Sequence, residues 1–307
     1  MKSVPSKISY PELNDIMKFL LAFVFSTLLL SVPMTQAQIG IFDTSVDVGN
    51  PKLPGATEFH GETETYTLKG SGYNIWFGRD EFQYPHTKLT GDFILTSNFA
   101  FLGDGVDPHR KIGWMIRESL EDDAPHISAT LHGDGLTVLQ WRPLKGAHMR
   151  DPQDQIFAPK SHYQILQLER KGDQIIMRAA QPGEPLQEIG VQRMPDLPDD
   201  ILAGLFICSH NEDVSEQGQA WNVRIDQPVA DDYNPYQSGF LSSRLEIMNV
   251  FDGRRKVIHT YESRFEAPNW MPDGNRLLFN QEGSLYTIGI NGQDLKQMNT
   301  GFADRNN

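Results

Sequence analysis

The chain is poor in the features that announce a chemistry. It has one cysteine, Cys208, so no intramolecular disulfide can form. Cys208 ends the apolar run Ile201–Cys208 and reads as a small packed hydrophobe; His210, two residues on, does not by itself make it a nucleophile. Cations are also scarce, with 27 Lys and Arg against 40 Asp and Glu and a net charge of −13. No basic stripe is available to neutralise phosphates, which excludes nucleic acid as a partner, and the same balance disfavours docking on anionic lipid. No His-Glu-x-x-His or paired-His spacing suggests zinc, and no Gly-x-Ser-x-Gly marks a nucleophile elbow. Gly133-Asp134-Gly135 is followed by no helix, so it is no phosphate loop. With 40 acidic residues a hydrolytic carboxylate pair can be drawn anywhere, so choosing one carries no information.

Long apolar runs are missing with one exception, the 14 residues Phe19 to Val32. That run is shorter than the ~20 residues needed to span a bilayer. Lys18 precedes it and Thr35-Gln36-Ala37 follows it, the order of a positive segment, an apolar segment and a small-residue cleavage site. Residues 1–37 are therefore read as a signal peptide, with Met17 a more ordinary start than Met1. The mature chain is expected in the periplasm or secreted, with no stable membrane anchor after cleavage. No cysteine at the cleavage point supports a lipidated form.

Amphipathic helices are lacking too. After a lead-in over residues 38–62 rich in Pro and Gly, short segments of period two or continuous apolar character alternate with turn residues. They include Tyr73–Phe77, Lys88–Thr96, Ile112–Arg117, His126–His132, Thr137–Arg142 and Leu202–Cys208. About a dozen such strands make the chain all-β and suggest a two-sheet sandwich or jelly roll over residues 38–228. Gly70-Ser71-Gly72, Gly133-Asp134-Gly135 and Lys171-Gly172-Asp173 read as hairpin turns. Residues 229–240 are a polar, Pro-containing linker, and 241–307 a further set of hairpins.

The stretch Lys111–Arg142 is the richest in Trp, Arg and His. Alternation puts Ile112, Trp114 and Ile116 on one strand face, with Leu139 and Trp141 alike, so both tryptophans are expected in the core. Arg117, Thr130, His132, Gln140 and Arg142 then line the opposite face, which is expected to be an outer surface. Planar hydrogen-bonding groups beside an aromatic platform from Trp76 or Tyr73 suit a sugar; an ordinary solvated sheet face has the same pattern. Asp104 and Asp107, with a following acidic loop, are weak candidates for Ca²⁺, which takes six to eight oxygen ligands, and they lack EF-hand spacing. No other cofactor is implied.

Two resemblances add to this reading. Trp270-Met271-Pro272-Asp273-Gly274 with Leu277, Leu278 and Phe279 resembles the repeat of TolB-like β-propellers. One repeat takes about 40 residues and a propeller needs four or more blades, so residues 241–307 would supply only about one blade plus a closing hairpin. Such a piece is expected to be poorly ordered unless it lies against the sandwich. Separately, Gly113, Met115-Ile116-Arg117, Ser119-Leu120, His126, Gly133-Asp134-Gly135 and Trp141-Arg142 resemble a pattern of concanavalin/laminin-G-like sandwiches in secreted bacterial proteins. Together the resemblances imply a non-catalytic exported protein whose sandwich recognises a glycan or envelope component and whose propeller is a protein-interaction platform. The alternative they leave open is the N-terminal part of a propeller-containing carbohydrate-active enzyme or peptidase-like hydrolase, with its active site beyond residue 307.

Overall fold

A computed structural model of the chain describes residues 39–228, 234 and 242–299. The expected signal segment and almost all of the expected linker lie outside the described residues, and so do residues 300–307. Everything below belongs to one compact unit, Gln38–Asn307.

The described elements are all strands, and no helix among them is long and apolar enough to cross a membrane. In chain order the first seven are β1 (Thr44–Val48), β2 (Ala56–His60), β3 (Thr65–Gly72), β4 (Phe82–Thr90), β5 (Phe93–Leu102), β6 (Lys111–Arg117) and β7 (His126–His132). Seven more follow: β8 (Thr137–Arg142), β9 (Gln155–Phe157), β10 (Ile165–Lys171), β11 (Gln174–Ala180), β12 (Gln187–Arg193), β13 (Asp200–Cys208) and β14 (Asn211–Asp226). They form two seven-stranded antiparallel sheets, ordered β1-β4-β13-β6-β7-β8-β9 and β12-β11-β10-β5-β14-β3-β2. The fold is an all-β, two-sheet sandwich.

Alternation explains the core. Ile112, Trp114 and Ile116 of β6, Ile127 and Ala129 of β7, and Leu139 and Trp141 of β8 turn inward to meet Leu95, Leu166, Leu168 and Met177 of the second sheet. Each fully buried large aliphatic or aromatic side chain contributes about 1.5–3 kcal/mol. Trp114 and Trp141 take the core positions expected of them. Cys208 is a free, buried thiol packed with Phe82, Phe206 and Met115, and burial pushes it up to about 11.

Four local expectations are corrected. The 38–62 lead-in is not simply loop, since β1 and β2 form an edge of each sheet on either side of the Pro51–Pro54 crossover. Lys88–Thr96 is two strands, broken where Gly91 adopts φ +73°. Tyr73–Phe77 is a loop rather than a strand. Gly70-Ser71-Gly72 lies inside β3 and makes no hairpin turn; Gly72 has φ +128°, and a Cβ there would sit 2.0 Å from the Glu81 carbonyl oxygen. Its glycine is needed for close approach of two backbones.

Beyond the sandwich, β15 (Ser243–Met248) and β16 (Arg255–Tyr261) pair as a hairpin. Strands β17 (Phe265–Trp270), β18 (Arg276–Gln281), β19 (Ser284–Gly289) and β20 (Lys296–Gln297) form a four-stranded antiparallel sheet. The Pro272-Asp273-Gly274 turn joins β17 to β18, with Gly274 at φ +67° and the Asp273 carboxylate accepting from the Asn275 amide. Leu245 and Ile258 from the hairpin share a small core with Leu277, Phe279 and Ile288 from the sheet. No closed ring of blades is formed by the described residues.

This C-terminal part lies against the sandwich. The Trp221 indole donates to the Asp252 carbonyl at 3.1 Å, the Asn222 amide to the Gly253 carbonyl at 2.7 Å, and the Val257 amide to the Glu62 carbonyl at 3.2 Å. Arg254 stacks over the Trp221 ring at 4.9 Å, and Arg244 pairs with Glu64. Trp221→Phe keeps the buried ring but removes its donor, and one lost hydrogen bond of this kind costs about 1 kcal/mol. Limited proteolysis is expected to cut within 242–299 first in this variant, ahead of any cleavage in β5–β8; unchanged sensitivity there would mean that the docking contributes nothing to order.

Candidate functional site

The sandwich brings together the residues that the sequence placed on one face. Strand register sets them in rows across β6, β7 and β8: Arg117 with His126 and Arg142, Met115 with Ser128 and Gln140, Gly113 with Thr130 and Val138, and Lys111 with His132. The face is shared as expected, but it is not an outer surface. Arg117, Thr130 and Arg142 are 0% exposed, Gln140 1% and His132 7%. Three loops meet the two arginines: residues 73–81 between β3 and β4, 118–125 between β6 and β7, and 143–154 between β8 and β9. Met149 donates from its amide to the Trp76 carbonyl, joining the third loop to the first.

Asp80 holds this cover down. Its carboxylate accepts from Arg142 Nη2 at 2.6 Å and Nη1 at 2.7 Å, and from Arg117 Nη1 at 3.3 Å. The remaining guanidinium hydrogens reach loop carbonyls: Arg117 donates to Ser119 and Glu121, and Arg142 to Phe77, Ala124 and Ala147. Burial lifts the Asp80 carboxyl above its ordinary value, and the guanidiniums of Arg142 and Arg117 pull it back. All three groups are fully buried, so the two arginines serve as anchors for loops and are closed to a dissolved ligand. Asp80 was invisible in the sequence, where Arg79-Asp80-Glu81 looks like a solvated charged loop. The signal that could have found it is the face itself, since two arginines and a histidine on one buried row need a carboxylate.

The same face carries neutral histidines. His126 lies 3.8 Å from Asp80, but burial, then Arg142 and Arg117, hold its ring well below the usual histidine range. Burial, with Lys111 and the His109 and His210 rings nearby, does the same to His132. Lys111 is itself pushed down to about 8 by burial, and its ammonium donates to Asn74 at 2.9 Å and to the His109 carbonyl. At this end the face is closed by Asn74 and the 107–110 turn. Asp107, the weak calcium candidate, accepts at Oδ1 from the His109 amide at 2.7 Å and has the His210 Nδ1 at 3.2 Å from the same oxygen. Asp104 is exposed. The described residues include no group of three or more His, Cys, Asp and Glu side chains arranged to hold a metal ion.

What faces solvent is the outer side of the cover. Phe77 is 47% exposed, its ring near-parallel to that of Tyr73 (15°, centroids 6.3 Å apart) and edge-on to exposed His148. The Arg79 guanidinium lies 4.3 Å over the Tyr73 ring, and the Tyr73 hydroxyl donates to the Arg79 carbonyl. Trp76, the aromatic expected to flank the buried face, is half-buried in the same loop. A cluster of aromatic rings edged by a guanidinium and an imidazole can stack on an apolar ring face and hydrogen-bond at its rim. It is held in place from beneath by Asp80.

Two outcomes follow from the buried face. Asp80→Ala strands two buried guanidiniums and is expected to cost about 3–5 kcal/mol in a urea melt; a loss below 1 kcal/mol would show that the anchor is dispensable. The histidines set an acid limit. Above about pH 6.5 both states leave them neutral; below it the unfolded chain takes up protons that the native His126 and His132 refuse. Stability should therefore fall on acidification by about 1.4 kcal/mol per pH unit for each, and His126→Asn should make that slope shallower. Equal slopes for the variant and the parent would place the acid sensitivity elsewhere.

No family model matches the chain. An uncharacterized protein of Agrobacterium fabrum, Atu1656, is 41% identical over 66 residues, 21% of this chain. The chain thus spans only 22% of the length of that relative. Among solved structures, a functionally unknown protein from Saccharomyces cerevisiae has a TM-score of 0.47 at 13% identity, over 61% of this chain and 97% of that one. The carbohydrate binding module CBM66 from Bacillus subtilis has a TM-score of 0.37 at 13% identity, over 64% of this chain and 100% of its own. The exoplasmic/lumenal domain of VIP36, in a Ca²⁺- and Man2-bound form, has a TM-score of 0.40 at 10% identity, over 65% of this chain and 90% of its own.

Proposed function

We propose that this chain is an exported, non-catalytic binding protein whose sandwich docks a glycan on the aromatic cover formed by Tyr73, Trp76, Phe77, Arg79 and His148. The observation that carries this reading is an exposed Phe77 ring near-parallel to half-buried Tyr73, on a loop fixed from below by a fully buried ion pair. Exposed aromatics lose little entropy on binding when their backbone is already held, and that preorganisation favours recognition of a weakly hydrophobic ligand such as a sugar ring. The ligand surface is thereby moved outward from Arg117, Thr130, His132, Gln140 and Arg142 to the loop that hides them.

Binding rather than turnover is the reading preferred for the sandwich, because Asp80 and His126, an acid and a base 3.8 Å apart, are both fully enclosed within it. The sheet β17–β20, with its Trp270-Met271-Pro272-Asp273-Gly274 turn, is read as one blade of a TolB-like propeller serving protein interaction. Trp270 is 56% exposed, as an inter-blade residue would be when one blade is seen alone.

The test is a glycan array probed with residues 38–307, followed by calorimetry on the best neutral oligosaccharide. Phe77→Ala is expected to weaken binding about tenfold with little change in melting temperature, in line with a stacking contact of about 1–1.5 kcal/mol. Binding that is indifferent to Phe77→Ala and Tyr73→Ala, or no binding to any glycan, would overturn the assignment.

A further inference from the structure

A second surface, away from the aromatic cover, lies where the β15–β16 hairpin meets the sandwich. A cleft of 690 Å³ opens there between the β2–β3 turn, β14 and the hairpin. Its hairpin wall carries Arg254, Arg255 and Lys256, the longest unbroken run of Lys and Arg in a chain of net charge −13. Against these three cations the lining holds one carboxylate, Glu62, and one large apolar side chain, Ile247. His60, Thr63, Thr65, Gln219 and Asn249 supply the rest of its polar groups.

The three cations are not equivalent. Arg254 donates to Gln219 at 2.9 Å while stacked on Trp221, and Arg255 is held by Asn222 at 2.7 Å and Glu246 at 3.1 Å. Arg254 also lies 3.6 Å from the Asp252 carboxylate, so each arginine has a carboxylate partner within the chain. Lys256 is half-buried in the same lining, and none of the ion pairs or side-chain hydrogen bonds found among the described residues engages its ammonium. Lys256 is thus the cation of this lining left open to a ligand. Three cations against one carboxylate make this a cleft of a strongly acidic protein where electrostatic complementarity favours a negative ligand.

We infer that this cleft binds a carboxylated polysaccharide, with Lys256 as the main partner of a uronate carboxylate. This deepens the glycan reading and rests on it. The polar lining of hydroxyls, amides and imidazole suits a ligand that is hydroxyl-rich around its charge. An acidic peptide would need apolar recesses for its other side chains, and Ile247 alone does not provide them.

The experiment measures binding of residues 38–307 to polygalacturonate, to a neutral galactan of matched length and to polyglutamate, at low and at high salt. Expected is salt-sensitive preference for polygalacturonate over galactan, weakened about tenfold by Lys256→Glu and several-fold by Lys256→Gln, with melting temperatures unchanged. Phe77→Ala should leave the charge preference intact. Equal binding of the acidic and neutral polymers, or a preference untouched by both Lys256 variants, would overturn the cleft while leaving neutral binding at the aromatic cover in place. Polyglutamate bound as tightly, with the same Lys256 dependence, would overturn the ligand class. Failure of every polysaccharide to bind the parent chain would remove the glycan reading and this inference together.

Discussion

The carboxylate of Asp80, buried between the guanidiniums of Arg117 and Arg142, is the contact on which the rest of the sandwich depends. A sheet whose strands β6, β7 and β8 are buried on both faces needs a second cover as well as a second sheet. Here the cover is made of irregular loops, which cannot satisfy their own carbonyls as a sheet or helix does. The two arginines solve that problem by donating to five loop carbonyls while Asp80 neutralises one of their charges. Removing a partner from such a network leaves an uncompensated charge in a medium that cannot solvate it, so the loops and the polar face stand or fall together.

That arrangement separates stability from recognition. Arg117 and Arg142, which would suit a sugar-binding face, are used internally, and the loop they anchor turns Phe77 and Arg79 to solvent beside half-buried Tyr73. A rigid aromatic platform over an ionic anchor is a different device from an open polar sheet face, since its exposed side can vary without disturbing the fold. The C-terminal hairpin adds a second surface, lined by Arg254, Arg255 and Lys256. Its cations are kept beside the sandwich by Trp221 and Asn222, so the sandwich and the β15–β16 hairpin together shape a cleft that neither has alone.

Much of the architecture was legible in the alternation of apolar residues. The spans of β7 and β8 and the inward turn of Trp114 and Trp141 follow from period two alone, because those strands face an apolar core on one side. The edge strands β1 and β2 were not legible, since short, half-exposed edges carry little apolar signal and sit among Pro and Gly. The other face of β6–β8 was assigned its members correctly and its environment wrongly. Polar alternation shows which side chains share a face, but it cannot tell water from a loop that returns from elsewhere in the chain. Asp80 is 37 residues from Arg117 and 62 from Arg142, and nothing local marks it. The aromatics of the cover were noticed as a platform but placed beside the wrong floor.

The most direct measurement of where a ligand sits is a ¹H–¹⁵N and aromatic ¹H–¹³C NMR titration of residues 38–307 with the oligosaccharide that binds best. The structure predicts shifts in the Tyr73, Phe77 and His148 rings and in the 73–79 amides, while the His126 and His132 rings and the His126–His132 amides stay still. Large shifts at His126, His132 or Gln140, with the cover loop unmoved, would contradict this account and return the ligand to the sheet face.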